Sequence, residues 1–443
     1  MTWSADKTFG ARPSAAIQAT WNQAVKTSQR LAGYGDARVR VPPGSLSGLT
    51  TIGEEAAPES AGLTEGKIGR IVADLEGLYR SGAHPGITFA LRKGGKLVMN
   101  RAIGHARGNA PADARDAEKV LITPETPVCL FSASKAVTAI LAHKLAEEGG
   151  IELDAPVARY WPAFGRKGKA LITVRDILSH RGGIPGLALD AQDRAVEKLN
   201  DWDWICDHIA NAKVGRLRMV AYHAVTGGFV IGEIIRRVTG KPFTDYHEEK
   251  LRKPLGMKHF TYGLPKAHRG GVAENAVAGM PVMFPIGPVV QRALIVPFNE
   301  VVTASNTDAF MDAVIPAGNI YATAEETSRF FQMLLDGGVY NGKVLLKNET
   351  IARAVKPVGY PIPDATLMIP MHYSEGMMMG GPMSLYGPFT TGAYGHLGFM
   401  NILGWADPKR DISCALLVTG KAILGPHLVP WMKLLATIGT QTK

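Results

Sequence analysis

The stretch Val128-Cys-Leu-Phe-Ser-Ala-Ser-Lys-Ala-Val-Thr-Ala-Ile140 carries the pattern Ser-x-x-Lys at the start of an apolar helix. Ser132 and Lys135 are three residues apart, so a helix places both side chains on one face. A serine hydroxyl is a weak nucleophile at neutral pH, and an adjacent amine with a depressed pKa can activate it. The residues that follow are apolar nearly all round the helix, which indicates burial. Burial and the positive end of the helix dipole both favour the neutral amine, so the stretch predicts a serine nucleophile with a lysine partner.

A short motif of this kind occurs by chance in many chains, usually as a solvated helix turn. Ser134 is the other serine of the stretch, but the residue three positions after it is Val137. Ser132 is therefore the predicted nucleophile, and two later segments supply the other parts that a catalytic site needs.

The first of these segments begins Tyr222-His-Ala-Val-Thr-Gly-Gly-Phe229 and leads into a predicted helix. A tyrosine at the start of a helix can place its hydroxyl in a cleft. With its pKa lowered by a nearby ammonium, Tyr222 could shuttle the serine proton. The alternative is a structural tyrosine whose ring packs and whose hydroxyl bonds to the backbone.

The second segment is Gly395-His-Leu-Gly-Phe399, which precedes a predicted strand. Glycines allow a close backbone approach to a ligand, and a strand edge can offer an N–H to a developing oxyanion. We expect the oxyanion hole at the backbone N–H groups of Ser132 and Phe399. His396 and Gly398 are expected to orient the substrate, or His396 to hold Tyr222 and its water. The alternative is a structural histidine at a turn, whose ring nitrogens have hydrogen-bond partners within the protein.

Serine, lysine, tyrosine and His-x-Gly in this order resemble the penicillin-recognising serine hydrolase superfamily, which includes serine β-lactamases, penicillin-binding proteins and β-lactamase-like esterases. The resemblance runs from about residue 58 to the C-terminus, and the stretches Leu178–Pro185 and Pro316–Glu326 support it. It implies that Ser132 is the nucleophile, Lys135 its activating partner and Tyr222 the second base.

Two departures from the superfamily pattern concern the substrate. The Lys-Thr-Gly element that grips the carboxylate of penicillins is His396-Leu-Gly398 here, and the asparagine two residues after the tyrosine is Ala224. The groups that recognise an anionic amide substrate are thus missing, and the chain looks like the esterase branch, the family VIII carboxylesterases and related acyltransferases. This resemblance implies a serine esterase that forms an acyl-enzyme.

We expect a small-molecule ester substrate with an apolar acyl or aromatic group, and no cofactor or metal. His247-Glu-Glu-Lys-Leu lacks the second histidine of a zinc-protease helix. The alternatives are a β-lactamase or D-Ala-D-Ala peptidase of the same superfamily, an acyltransferase, and a non-catalytic binding protein that has kept the fold.

Apolar periodicity predicts the elements of the fold. Gly94-Gly95, between two β-prone runs, is a strong hairpin signal. Predicted helices cover 64–79, 324–335 and 428–438, and predicted strands cover 86–92, 96–101, 376–379, 400–405 and 412–418. Strands at both ends with helices between them predict an α+β, β-lactamase/transpeptidase-like fold. It consists of an antiparallel sheet flanked by terminal helices, with a mainly helical lobe inserted.

The predicted organisation has two parts. Residues 1–57 form an N-terminal helix (13–31) and an extended connector, and residues 58–443 form the hydrolase domain. Within it, an α/β lobe covers about 58–130 and 317–443, and a helical lobe with pocket loops covers about 131–316. Trp202, Trp204 and the segment 284–288 are expected to form an apolar pocket wall or part of the core.

The overall composition excludes several other classes of protein. The formal net charge is +10, but the lysines and arginines are scattered, which favours a solvated surface over a nucleic-acid groove. Cys129, Cys206 and Cys414 are far apart and predict free, mostly buried thiols. We see no secretory signal and no apolar run long enough to span a bilayer, so we expect a soluble cytoplasmic protein of undetermined oligomeric state.

Overall fold

The computed structural model describes residues 37–443, except for 188, 190–194, 283–286, 288–289 and 292–295. The predicted N-terminal helix over 13–31 lies outside the described residues, as does nearly all of the segment 284–288.

The helices and strands are numbered along the chain. The α-helices are α1 Glu65–Arg80, α2 Ser134–Glu147, α3 Val174–Leu178, α4 Trp202–Asn211, α5 Thr226–Thr239, α6 Phe243–His247, α7 Phe298–Ala304, α8 Asp308–Asp312, α9 Ala324–Leu335, α10 Asn348–Ala354 and α11 Leu428–Gln441. The strands are β1 Thr50–Ile52, β2 Gly86–Lys93, β3 Lys96–Arg107, β4 Val120–Leu121, β5 Val128–Cys129, β6 Thr261–Tyr262, β7 Ala276–Val277, β8 Ile320–Ala322, β9 Val339–Tyr340, β10 Lys343–Val344, β11 Ile362–Pro363, β12 Pro370–Met371, β13 Met378–Met379, β14 Met383–Ser384, β15 Gly387–Pro388, β16 Tyr394–Leu397, β17 Leu403–Asp407, β18 Ile412–Val418 and β19 Gly420–Lys421.

The main sheet combines strands from both ends of the described chain in the order β1-β3-β2-β18-β17-β16-β13, and β4 pairs with β3. Every neighbouring pair in this order is antiparallel. Gly94 and Gly95 have φ values of +56° and +76°, so the predicted two-residue hairpin turn between β2 and β3 uses the backbone conformation that glycine tolerates best. All seven residues of the central strand β18 are buried, as its mainly apolar composition predicts.

Helices from the two ends of the chain cover this sheet. Helix α9 packs against β2, β17 and β18, whereas α1 and α11 pack against each other. At Gly404 in β17 an added Cβ would lie 2.5 Å from the ring of Phe331, so glycine is what lets α9 approach the sheet. Between β5 and β8 the chain runs through α2 to α8, which include the inserted helical region. The predicted antiparallel sheet with terminal helices and a helical insertion is confirmed.

Helix α2 lies deep inside the protein. Eleven of its fourteen residues are buried, which matches the apolar composition all round the helix. The Ser134 hydroxyl accepts a hydrogen bond from the Ile320 N–H (3.0 Å), joining the start of α2 to strand β8. Ser134 therefore has a structural contact of its own, which agrees with Ser132 being the predicted nucleophile.

Some elements differ from the predictions. The extended connector contains β1, which pairs with β3 at the sheet edge. The end of the predicted lobe with pocket loops contains the short helices α7 and α8, which follow Pro297 and Thr307. The apolar periodicity does not predict them, because they are too short to show a clear period. The division of the chain at residue 57 stays a prediction.

Candidate functional site

A short 3-10 helix, Phe131–Ala133, presents the predicted nucleophile and leads directly into α2. Phe131 has φ +45°, in the left-handed region that costs about 1–3 kcal/mol for a residue with a side chain. Backbone strain of this kind persists where the surrounding structure holds it, which is common next to a reacting group. The hydroxyl of the next residue, Ser132, is only partly buried and therefore accessible.

Lys135 Nζ lies 3.1 Å from Ser132 Oγ and 2.8 Å from the carbonyl oxygen of Ala317. The side chain points into the protein and the residue is 8% exposed. Burial lowers the pKa of Lys135 to about 7, because the protein interior solvates an ammonium poorly. A substantial fraction of this amine is therefore neutral at physiological pH and able to accept a proton from Ser132.

Tyr222 lies next to both Ser132 and Lys135. Its hydroxyl hydrogen bonds with Ser132, and the centroid of its ring is 4.9 Å from Lys135 Nζ. Tyr222 comes from the segment before α5, ninety residues further along the chain than Ser132. The fold thus brings together the three side chains that the sequence predicts as catalytic.

The predicted direction of the Tyr222 pKa is wrong. A nearby ammonium was expected to lower it, but burial of the phenol raises the pKa well above its ordinary value. Two smaller effects oppose each other: the hydrogen bond with Ser132 lowers the pKa of Tyr222, and the charge of Asp364 raises it. Tyr222 therefore keeps its proton at neutral pH and is a hydrogen-bond donor or proton relay rather than a resident phenolate.

The backbone around Tyr222 is held by residues that the sequence did not identify as functional. The carbonyl of His180 accepts from Ala221 N–H (3.0 Å), and its Nδ1 accepts from His223 N–H (3.2 Å). Between these two contacts, the Tyr222 N–H donates to Oδ1 of Asp364 (3.1 Å). The ring of His180 also packs on the Tyr222 ring at 4.7 Å. His180 belongs to the stretch 178–185, which supports the superfamily resemblance but does not by itself indicate a contact with Tyr222.

His396 lies on β16 with its ring 6.2 Å from the Tyr222 ring. Its Nδ1 is 2.7 Å from the carbonyl oxygen of Leu397, and the side chain is 1% exposed. Burial, with the charge of Lys135 as a smaller effect, lowers the pKa of His396 to about 3. His396 occupies the position of the lysine in the Lys-Thr-Gly element. It is therefore neutral at physiological pH, and its side chain contacts the protein interior instead of solvent.

The turn after β16 approaches the 3-10 helix of the nucleophile. Phe399 and Phe131 are in ring contact at 5.2 Å. A Cβ on Gly398 would lie 2.4 Å from the carbonyl oxygen of Leu130 and 2.8 Å from Cβ of Ile402. A glycine at position 398 is therefore required for the backbone of this turn to lie beside the nucleophile.

We expect Gly398→Ala to lower kcat/KM about 10- to 100-fold, because the added methyl pushes the turn away from the 3-10 helix by a fraction of an ångström or more. Gly77→Ala is the matched control, since its position in α1 has open space around the added Cβ. That substitution should leave kcat/KM unchanged and stabilise the helix by about 0.5–1 kcal/mol. Steady-state kinetics and thermal melts of both variants test this, and equal activities would contradict the required close approach.

An apolar cluster surrounds Tyr222. Five of its side chains are buried, including that of Tyr222: Val220, Tyr222, Met371, Tyr373 and Met378. Four partly buried side chains pack against them: Ala224, Leu367, Leu385 and Leu397. By contrast, the Trp202 ring packs on Phe229 at 5.1 Å and its Nε1 donates to Glu233 (2.8 Å). For Trp202 the core alternative is thus correct.

Sequence predictions also concern the cysteines, the metal-binding side chains and the apolar helices. The thiols of Cys129, Cys206 and Cys414 are free and buried, as predicted. The described residues contain no group of three or more His, Cys, Asp or Glu side chains that could hold a metal ion. Within the same part of the chain, no helix has both the length and the apolar composition needed to cross a bilayer.

Comparisons with known proteins identify the family of the chain. A family model described as Beta-lactamase matches residues 68–435, which include every residue of the site. The chain belongs to the beta-lactamase family. Its curated relatives include the esterase/beta-lactamase LipL of Mycobacterium tuberculosis, which is 32% identical over 307 residues, covering 65% of this chain and 68% of LipL.

Several solved structures share the fold. A penicillin-binding protein homologue from Caulobacter crescentus is 28% identical with a TM-score of 0.73, over 85% of this chain and 97% of the homologue. A family VIII carboxylesterase is 26% identical with a TM-score of 0.71, over 87% and 98%. The predicted β-lactamase/transpeptidase-like fold and the predicted superfamily of serine hydrolases, with its esterase branch, are confirmed.

Proposed function

We propose that this beta-lactamase family protein hydrolyses carboxylic esters through an acyl-enzyme on Ser132. The observation that carries the proposal is the 3.1 Å contact between Lys135 Nζ and Ser132 Oγ. A nucleophile within hydrogen-bond reach of a base is the arrangement that covalent catalysis needs. Because burial lowers the pKa of Lys135 to about 7, the base is available at neutral pH.

Acylation begins when Ser132 Oγ attacks the ester carbonyl carbon and its proton passes to Lys135 Nζ. The carbonyl oxygen becomes an oxyanion, which the backbone N–H groups of Ser132 and Phe399 stabilise. Such donors contribute about 3–4 kcal/mol each to a transition state. The close approach of Gly398 to Leu130 supports this assignment, since it brings the Phe399 backbone beside the nucleophile.

Collapse of the tetrahedral intermediate breaks the bond to the alcohol. Tyr222, which holds its proton at neutral pH, donates it to the leaving alkoxide and is reprotonated from Lys135. Water then attacks the acyl-enzyme, and the same groups return Ser132 to its starting state. His396, buried beside Tyr222, supports the ring of Tyr222 in this scheme.

The chemistry around the site favours an uncharged ester. The neutral His396 replaces a lysine, and Ala224 packs against the apolar cluster where an asparagine would offer its amide. An anionic substrate would have no cationic partner at this position. It would therefore lose a hydrogen bond to a charged group, which contributes about 1.5–3 kcal/mol to binding. The cluster around Tyr222 suits an apolar acyl or aromatic group.

A panel of p-nitrophenyl esters, with nitrocefin measured beside them, tests the proposal. We expect kcat/KM for the best ester to exceed that for nitrocefin by about 10- to 100-fold, because the charged contact that would bind the nitrocefin carboxylate is missing. Hydrolysis of nitrocefin as fast as that of the best ester would contradict the proposal.

The second candidate is β-lactam hydrolysis. The name of the relative LipL, an esterase/beta-lactamase, is the observation that favours it. Multiple turnovers of nitrocefin, with little ester turnover, would assign the site to this reaction instead.

The pH dependence follows from Lys135. Attack by Ser132 needs the neutral amine, so the protonated form, which predominates below the pKa, is inactive. We expect kcat/KM to rise with pH, with a midpoint of about 7, and to level off above it. A profile that is flat from pH 5 to 9, or that falls as the pH rises through 7, would show that Lys135 is not the base.

A further inference from the structure

The carboxylate of Asp364 lies inside the protein, behind Tyr222. Asp364 follows β11 in the β11–β12 hairpin and is fully buried. Oδ1 accepts three backbone N–H donors, from Tyr222 (3.1 Å), Thr366 (2.8 Å) and Leu367 (2.9 Å). Oδ2 accepts the hydroxyl of Tyr373 (3.0 Å).

These contacts connect the hairpin to the proposed catalytic tyrosine. Thr366 and Leu367 fix the carboxylate within its own turn, and the Ala365 N–H donates to the Val220 carbonyl (2.9 Å) to dock the hairpin on the Tyr222 segment. Tyr373, held by Oδ2, packs its ring on His180 at 4.7 Å. His180 in turn packs on the Tyr222 ring, so one carboxylate oxygen holds the backbone of Tyr222 and the other supports its ring.

Burial of the Asp364 carboxylate carries a desolvation penalty, which reduces its net contribution to stability. In the part of the chain that the structure describes, no salt bridge reaches Asp364, and its carboxylate accepts hydrogen bonds from backbone N–H groups and a tyrosine hydroxyl, which are all neutral donors. Hydrogen bonds to a charged acceptor are shorter and stronger than neutral ones, and they fix geometry more tightly. A buried charge adds little net stability, so precise placement is what it can supply here.

We propose that Asp364 is a positioning residue that fixes the backbone of Tyr222, and thereby the hydrogen bond by which its hydroxyl orients Ser132 and the delivery of its proton to the leaving group. This inference rests on the proposed role of Tyr222. Asp364 touches neither Ser132 nor Lys135 in this account, and it acts only through the tyrosine.

The test is a double-mutant cycle of Asp364→Ala with Tyr222→Phe, read as the rate at which a fluorophosphonate labels Ser132. We expect Asp364→Ala alone to slow labelling about 10- to 100-fold, the effect of displacing a reacting group by about 1 Å. The double variant should label within about threefold of Tyr222→Phe alone, because coupled residues are not additive. Additive losses would overturn the proposal.

Two further variants separate positioning from loss of stability. Asp364→Asn keeps an oxygen acceptor for the Tyr222 N–H and should restore most of the labelling rate. Asp407→Ala is the matched control, because Asp407 is a buried aspartate at the end of β17 that pairs with Arg410. It should lower Tm without slowing labelling at temperatures below Tm. An equal slowing in Asp407→Ala would mean that the Asp364→Ala result reflects folding alone.

Ester kinetics extend the test. Because a p-nitrophenolate leaves without a proton and an alkoxide does not, Asp364→Ala should reduce kcat more for ethyl butyrate than for p-nitrophenyl butyrate, with KM little changed. Equal losses on both esters would contradict the route through Tyr222. If the wild-type protein cleaves no ester, the proposed function fails, while the labelling cycle still decides the role of Asp364.

Discussion

Replacement of Ser132 by alanine is expected to reduce ester turnover by roughly 10⁴- to 10⁶-fold, the range for removal of a nucleophile from a serine hydrolase. The hydroxyl is the atom that forms the acyl-enzyme, and neither Lys135 nor Tyr222 can replace it. Initial rates with p-nitrophenyl butyrate measure the effect. The fold should persist, because the Ser132 side chain is partly exposed and holds no element in place.

Ser134→Ala is the control for this experiment. The Ser134 hydroxyl bonds to the Ile320 N–H, so its loss leaves a buried donor unpaired and should cost about 1–3 kcal/mol of stability. Turnover below Tm should nevertheless stay near the wild-type rate, because the Ser134 hydroxyl bonds to the Ile320 N–H and not to the reacting groups. Retention of most activity in Ser132→Ala, or its loss only in Ser134→Ala, would contradict the choice of nucleophile.

Lys135→Met should lower kcat/KM by roughly 10³- to 10⁵-fold, because general-base catalysis and electrostatic stabilisation of the transition state are lost together. The same substitution should raise Tm by a few degrees. Methionine has a similar length and no charge, and it removes an amine that the protein interior disfavours.

The gain in stability from Lys135→Met should depend on pH. Burial lowers the pKa of Lys135 to about 7, so between pH 7 and the ordinary lysine pKa the unfolded chain binds more protons than the folded one. Wild-type stability relative to the variant therefore rises with pH through this window, and the penalty of the buried ammonium is complete below pH 7. Denaturant melts at pH 6 and pH 9 measure it. A difference between the proteins that is larger at pH 9 would contradict the pKa assignment.

The sequence allowed prediction of the elements with a strong local signal. The mainly apolar strand β18, the Gly94-Gly95 turn and the capped helix α9 each carry their signal within a few residues. The contact between Ser132 and Lys135 was predictable for the same reason, since a helix fixes the distance between residues three apart.

The parts that could not be predicted depend on long-range contacts. Asp364 lies 142 residues from Tyr222 in the chain, and nothing in its local sequence indicates that a hairpin delivers its carboxylate to that backbone. The direction of the Tyr222 pKa was predicted wrongly because the expectation considered a neighbouring charge and ignored the burial of the phenol. Burial of a side chain at a loop is a property of the whole fold, which local patterns do not contain.

The most direct test of an acyl-enzyme on Ser132 is mass spectrometry of the intact protein after reaction with a fluorophosphonate, followed by peptide mapping. We expect one adduct per chain, located on Ser132, formed faster as the pH rises through about 7. The adduct should be missing from Ser132→Ala and slow to form in Lys135→Met. An unmodified Ser132, or an adduct on another residue, would contradict the account.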